Sequence, residues 1–450
     1  MKIIYFFSIF VFTFFTSAAF AQDPGERLNK LEEIVKKQEK TIEQQQKTVE
    51  ALKQEMEKQK SGRASLEPGA PSASPQSGGL FGGSSLTNPN ISAVLNAFAY
   101  SSNLTNEELE QRGIPGFTTR GIERQRGFNL DAAELFIFAP VDPFFNFYTT
   151  IPVTEDGAEL EEAYIVTTSL PAGFQIKGGK FKGGFSRLNA QHPHVWDFAD
   201  IALPYRAFLG DEGLGGEKGI QLTYLPALPV YTLLGAEVLQ GENALLFGPD
   251  AGSGPHAFSF FVKSSVDTSD NSTLYLGPSV LFGKAKTTGI APGLDPAQGT
   301  EFLGDGALYG FEMAWKWKPS SQQGFTLQSE YLYLSQDGDL EDIGAPTVDP
   351  LVRRQDGFYV QGIYRINRWR VGGRYDKLGL FSDTFKLAGT EQDLGNTSWR
   401  ATGSLEFNPS EFSRIRLQYT HDRSARDGQE NNEVIAQFIF GIGAHAGHAF

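Results

Sequence analysis

No cysteine occurs in the 450 residues, which excludes disulfides, thiolate–zinc and iron–sulfur centres, and thiol nucleophiles. Beyond the amino terminus no apolar run approaches the about 20 residues that a membrane-spanning helix needs. Positive charge is scarce. Lys and Arg number 39 against 53 Asp and Glu, a formal net charge of −14, and this balance argues against a general nucleic-acid surface. Catalytic signatures are also missing: no Ser/His/Asp order and no paired carboxylates in an identifiable cleft stand out. "GGFSRLN" is Gly-rich, but it leaves a strand without opening a helix and is no nucleotide loop. No catalytic residue is therefore assigned, and the chain is not expected to be an enzyme.

What is abundant is glycine and aromatic side chains, with 50 Gly, 37 Phe and 15 Tyr against only three Met. At the amino terminus Lys2 precedes an apolar run from Ile3 to Phe15, and Ala19-Phe20-Ala21 offers small residues around a cleavage point. Residues 1–21 thus read as a secretory signal peptide rather than an anchoring helix, whose apolar stretch would be longer. An exported, cysteine-free, Gly- and aromatic-rich chain without a helical span fits an outer-membrane β-barrel.

Residues 22–60 carry a heptad seam. Leu28, Val35, Ile42, Val49 and Met56 recur every seven residues, alternating with Leu31, Gln38, Gln45, Leu52 and Gln59. The unbroken series predicts a short coiled coil of two or three strands in preference to a lone solvated helix. Residues 61–87, rich in Pro, Gly, Ser and Ala, read as a flexible linker.

From residue 88 to 450 the period changes to two. Tyr309, Phe311, Met313, Trp315 and Trp317 alternate with Leu308, Gly310, Glu312, Ala314, Lys316 and Lys318. Trp369, Val371, Gly373 and Tyr375 alternate with Arg368, Arg370, Gly372 and Arg374, and Val434, Ala436, Phe438 and Phe440 line one face near the carboxyl end. In water such strands would aggregate, whereas in a closed barrel the apolar face meets lipid. Tight turns fall near 142–143, 171–173, 226–229, 269–272, 319–323, 366–367 and 408–411. Between them lie longer polar connections near 102–123, 155–158, 185–218, 241–255, 285–305, 336–353, 379–396 and 422–431. Seven short and eight long connections predict an all-β, sixteen-stranded antiparallel transmembrane barrel. Its short turns face the periplasm, and so do the coiled coil and both ends of the chain.

If the apolar faces meet lipid, Arg368, Arg370, Arg374, Arg400, Arg414 and Arg416 line the lumen, with Asp376 and Glu406 as acidic neighbours. Facing lipid, each would cost about 2–4 kcal/mol at mid-depth. Such a wall attracts anions, unless the arginines pair with loop carboxylates to hold a plug. The longest connection, "QHPHVWDFADIALPYRAFLGDEGLGGEKG", supplies such carboxylates at Asp197, Asp200, Asp211 and Glu212. Its apolar Trp196, Phe198, Ile201, Leu203 and Phe208 suit a loop folded into the barrel, where it would narrow the channel.

"IKGGKFKGGFSRLN", "FADIALPYRAF" and "GIQLTY" resemble the segment of the phosphate-selective porin O and P family in which the third loop enters the pore. The chain resembles more closely the proteobacterial proteins labelled zinc-regulated, TonB-dependent outer-membrane receptors. There the likeness rests on "NPNIS", "EEAYIVTTSLPAGFQIKGGKF", "LNAQHPHVWDFAD" and the histidine-bearing tail. The resemblance covers most of residues 88–450. It implies a homotrimeric outer-membrane pore in lipid for small solutes; the arginine wall adds anions among those solutes, and the negative net charge excludes nucleic acid. The lysine ladder expected for phosphate is limited to Lys177, Lys180 and Lys182, and residues 22–87 are too short and polar for a folded receptor plug. His192, His194 and Asp197 offer imidazole and carboxylate suited to zinc. Alternatively they only tie the loop to the wall, and no cofactor is then required. His445 and His448 form a second pair in the tail.

Overall fold

The computed structural model describes residues 89–122, 124–288, 300–342 and 347–443. The signal peptide, coiled coil, linker and tail histidines lie outside the described residues. The chain forms a closed antiparallel barrel of sixteen transverse strands. These are β1 (Asn90–Ser102), β2 (Gly127–Asp142), β3 (Phe145–Val153), β4 (Glu162–Thr167), β5 (Phe174–Lys182), β6 (Gly216–Tyr224), β7 (Tyr231–Leu239) and β8 (Ala257–Ser269). They continue as β9 (Ser272–Thr288), β10 (Thr300–Trp317), β11 (Gln323–Asp342), β12 (Val348–Ile366) and β13 (Trp369–Leu387). After the stub β14 (Thr390–Glu391) come β15 (Trp399–Ser410), β16 (Ser413–Asp422) and β17 (Asn431–Ile442). β14 pairs only with the end of β13, whose body pairs with β15. Each strand pairs with its neighbour in sequence, and β1 pairs with both β2 and β17, so no edge is left open.

The short connections are made by local side-chain hydrogen bonds. Asp142 accepts from the Phe144 and Phe145 amides at 2.7 and 2.9 Å, and Ser320 accepts from the Gln322 and Gln323 amides. Between β12 and β13 the turn is two residues long, and Asn367 adopts φ 52°, a left-handed conformation that Asn tolerates. All seven tight turns expected from the sequence are present at one end of the barrel.

Outward positions are apolar. Val371, Leu405, Leu417 and Phe440 are 53%, 44%, 54% and 46% exposed. Aromatic pairs ring the outside at two levels: Trp369 with Phe407 (4.7 Å between centroids) near the short turns, and Tyr375 with Trp399 (6.2 Å) and Tyr309 with Tyr333 (6.2 Å) above. Trp317 and Tyr309 lie eight residues apart on one face of β10. At about 3.3 Å per residue and a tilt of about 40°, the girdles stand about 20 Å apart, close to an apolar band of about 25 Å. A belt of this size on a closed barrel faces lipid, not water.

One side of the wall is much taller than expected. β9 to β13 run for 17, 18, 20, 19 and 19 residues, so much of the connections expected near 285–305, 336–353 and 379–396 is strand. The reason is solvation. Above the membrane the outer face is polar, with Asp305, Asp337, Asp339 and Glu341 exposed, and this hides the alternation from a hydropathy reading. The inner face still packs: Phe302, Leu340, Leu351, Phe385 and Leu394 form a buried cluster. Two substitutions separate the zones. Leu405→Arg, between the girdles, is expected to lower the unfolding free energy in a bilayer by about 2 kcal/mol or more. Asp339→Arg, on the polar extension, should change it by no more than about 0.5 kcal/mol. Chemical unfolding in lipid vesicles measures both.

Candidate functional site

Residues 183–215 connect β5 to β6, and they fold inward across the lumen. The connection is mostly short turns: two 3-10 turns, Leu188–Ala190 and Pro193–Val195, and one helix, α1 (Leu203–Phe208). Pro204 at the start of α1 fixes a backbone angle the helix needs, and all six of its residues are buried. Phe185, Leu188, Trp196, Ile201, Leu203, Tyr205 and Phe208 pack with inward Leu308, Leu332, Leu334, Tyr359 and Leu378 of the wall. Phe117, from the β1–β2 connection, and Phe247, from the β7–β8 connection, complete this cluster.

Four polar anchors fasten the loop. The first is Glu330, 1% exposed on β11. It accepts from the Arg187 and Leu188 amides at 3.0 and 3.1 Å and from the Tyr205 hydroxyl at 2.6 Å, and also from Ser186 and Tyr359.

The second anchor is Asp200. The Arg374 Nη2 donates to both of its oxygens at 3.0 Å, Arg400 lies 2.9 Å away, and the Gln418 amide donates at 2.7 Å. Despite burial, the charges of Arg374 and Arg400 hold the Asp200 carboxyl well below the ordinary carboxylate range. Arg374 also donates to Asp376 at 3.0 Å and lies over the Phe198 ring at 4.7 Å. Asp376 in turn accepts from the Leu203 amide at 3.0 Å.

Glu406 organises the third. It binds Arg416 at 2.8 Å and Arg370 at 2.9 Å, with Arg414 at 3.5 Å. Arg416 and Arg414 donate onward to the loop carbonyls of Trp196 (2.7 Å) and His194 (3.1 Å), and Arg370 pairs with Asp197. Five of the six arginines singled out in the sequence therefore meet on β13, β15 and β16 with four carboxylates: Asp197, Asp200, Asp376 and Glu406. Arg368 stands apart, exposed in the β12–β13 turn. Asp211 pairs within the loop, with Arg206 at 3.3 Å. Glu212 stays away from the arginine wall, and burial raises its carboxyl against the pull of Lys182.

Beyond β17 and β1, against the β2–β4 side of the wall, His192 forms the fourth anchor. Its Nδ1 is 3.1 Å from Glu161 and 3.4 Å from Glu134, and its Nε2 is 2.9 Å from Glu162. Burial alone would keep this imidazole neutral, but the three carboxylates outweigh it and raise its pKa well above the ordinary 6.5. Glu161 is drawn down to about 2, against its burial, by His192 and Lys182. His194 Nδ1 lies 3.4 Å from Glu134. Asp197 belongs to the arginine anchor, so the structure does not bring it together with the two histidines. The sequence reading passed over Glu330, Glu134, Glu161 and Glu162. For Glu330 a signal existed in "QSEYLYLS", where Gln328 and Glu330 fall on the same face as Leu332 and Leu334.

No family model matches the chain. An uncharacterised protein of Aquifex aeolicus is 40% identical over 384 residues, covering 80% of each chain. Among solved structures, the outer-membrane channel DcaP of Acinetobacter baumannii is 11% identical, with a TM-score of 0.48 over 80% of this chain and 99% of its own. An anion-selective porin from Comamonas acidovorans is 9% identical, with a TM-score of 0.48 over 79% of this chain and 100% of its own. The barrel assignment stands on the strand pairing described above.

Removing one partner from a buried ion-pair cluster leaves charge uncompensated, at a cost of about 3–5 kcal/mol. Asp200→Ala is therefore expected to destabilise the loop by that order and to raise its cleavage by added protease in reconstituted vesicles. Arg368→Ala should leave both unchanged. Stability and cleavage kinetics of the two variants provide the check.

Proposed function

This chain belongs to one family with the uncharacterised Aquifex aeolicus protein, a relative that brings no assigned activity. From the barrel itself we propose an outer-membrane channel for passive passage of small solutes, with anions preferred and the β5–β6 loop as its constriction. The observation that carries the proposal is the cavity at the short-turn end of the lumen, about 1360 Å³ in volume. Six cationic side chains line it, of which Arg370 and Arg414 are already paired with Asp197 and Glu406; Lys316, Lys318, Arg365 and Arg368 then face three lining carboxylates, Asp267, Asp270 and Glu411. A water-filled vestibule with an excess of fixed positive charge concentrates anions and repels cations.

The arginine cluster has a different part in this reading. Arg374, Arg400 and Arg416 are 4%, 3% and 1% exposed, and their charge is committed to the loop. They set the channel's width, and the vestibule cations set its preference. The resemblance to phosphate-selective porins supports a pore and a homotrimer in the outer membrane, with the amino-terminal region in the periplasm. The preference argued here is for small anions in general. A zinc-regulated receptor would in addition require energy-coupled uptake.

Planar bilayers test this. The wild-type protein should give small, stable conductance steps that favour chloride over potassium. Deleting residues 187–212 should raise the step several-fold. Lys316→Gln with Arg365→Gln should shift the reversal potential toward cations and leave the step nearly unchanged. Unaltered selectivity in that double variant would remove the anion assignment, and a silent bilayer with correctly folded protein would remove the channel.

A further inference from the structure

Three side chains of the fourth anchor hold their ligand atoms close enough together to take one metal ion. Glu134 Oε2, on β2, lies 3.4 Å from the Nδ1 atoms of both His192 and His194, and Glu161 Oε2 lies 3.1 Å from His192 Nδ1. Glu134, Glu161 and His192 each present a ligand atom, all within 4.8 Å of one another. Tetrahedral ligands about 2.0–2.1 Å from a central ion stand about 3.3–3.4 Å from each other, close to the spacing found here. We propose that Glu134, Glu161 and His192 bind one divalent transition cation of nitrogen and oxygen preference, with His194 beside Glu134 at the rim of the site, and that the ion staples the loop to the β2–β4 wall. The site does not depend on whether the barrel conducts.

Further observations support this. Two of the ligands are oriented by a partner behind them: the second ring nitrogen of His192 is 2.9 Å from Glu162, and the second oxygen of Glu161 is 2.7 Å from Lys182. A carboxylate behind a ligating imidazole fixes its tautomer and raises its basicity. The charge balance also accommodates an ion in place of the protons that the imidazoles otherwise carry. Three carboxylates face one lysine and the two imidazoles, so one divalent ion can replace two imidazole protons without changing the net charge. The site is enclosed too: the side chains of His192, Glu134 and Glu162 are each 9% exposed and that of Lys182 is 3% exposed, so an uncompensated charge there is costly. Pro193 opens a 3-10 turn, Pro193–Val195, that brings the two imidazoles alongside each other, nearly parallel at 20° with centroids 5.8 Å apart. Mixed imidazole and carboxylate donors select zinc-like ions over calcium or magnesium, which prefer all-oxygen sites.

The test uses full-length protein in detergent, carrying His445→Ala and His448→Ala so that the tail does not compete. After chelator treatment, Zn²⁺ is titrated calorimetrically and counted by elemental analysis. One ion per chain is expected, with X-ray absorption reporting nitrogen and oxygen neighbours at about 2.0 Å that include an imidazole. Glu162→Gln should weaken binding about ten- to a hundredfold while the ligands remain, and Glu134→Gln with His192→Ala should abolish it. Asp197→Asn should leave affinity unchanged. Heat-modifiable migration shows that each variant is folded. Should a variant misfold, the absorption spectrum of the parent protein decides alone. Absence of stoichiometric Zn²⁺, a spectrum lacking imidazole, or full affinity in the folded double variant would overturn the proposal.

Discussion

Five arginines on three neighbouring strands cannot share an enclosed lumen unless acids and carbonyls from elsewhere come to meet them. That requirement organises the interior. Among the described residues, Arg370, Arg374, Arg400, Arg414 and Arg416 form ion pairs on their own wall with Asp376 and Glu406, and the loop adds Asp197, Asp200 and the carbonyls of His194, Trp196 and Ile201. Desolvation makes such pairs poor sources of net stability but severe enforcers of geometry. The loop is held in one place because releasing it would leave buried guanidiniums without partners. Apolar packing of α1 and its neighbours then fills the space between these fixed points.

The two walls of the barrel meet the loop with opposite charge. β13 to β16 present guanidiniums to loop acids, whereas β2 to β4 present carboxylates to loop histidines. A loop carrying its acids at Asp197 and Asp200 and its imidazoles at His192 and His194 can enter in only one orientation. This is specificity by complementary charge within one chain. The short-turn vestibule lies apart from these contacts except at Arg370 and Arg414, which line it and also pair with Glu406.

Much of this was legible from residue order, because the barrel obeys a period of two with turn chemistry at fixed breaks. Asp142, Ser320 and Asn367 marked turns by mechanisms that act over two or three residues. The inward side of Arg370, Arg374, Arg400, Arg414 and Arg416 followed from their apolar neighbours. The tall extension of β9 to β13 escaped because exposed acids replaced apolar residues on its outer face once the strands left the bilayer. The pairing of His192 with Glu134 and Glu161 also escaped. Those contacts join residues 58 and 31 positions apart through the register of β2, β3 and β4, and no local pattern encodes such a meeting. Asp197 looked like the histidines' partner because it is near them in sequence; the chain turns between them, and each side chain goes to a different wall.

Whether residues 183–215 lie within the lumen decides the account, and the absence of native cysteine allows a direct measurement. Ala199 donates its amide to Gln418 of the wall at 2.8 Å, so Ala199→Cys and Gln418→Cys place two thiols within reach of a short bifunctional thiol reagent. In intact outer membranes the pair is expected to cross-link within one chain, and Ala199→Cys alone should resist a bulky, membrane-impermeant reagent added outside. Rapid modification from outside, with no cross-link in the pair, would contradict the inward loop and everything built on it.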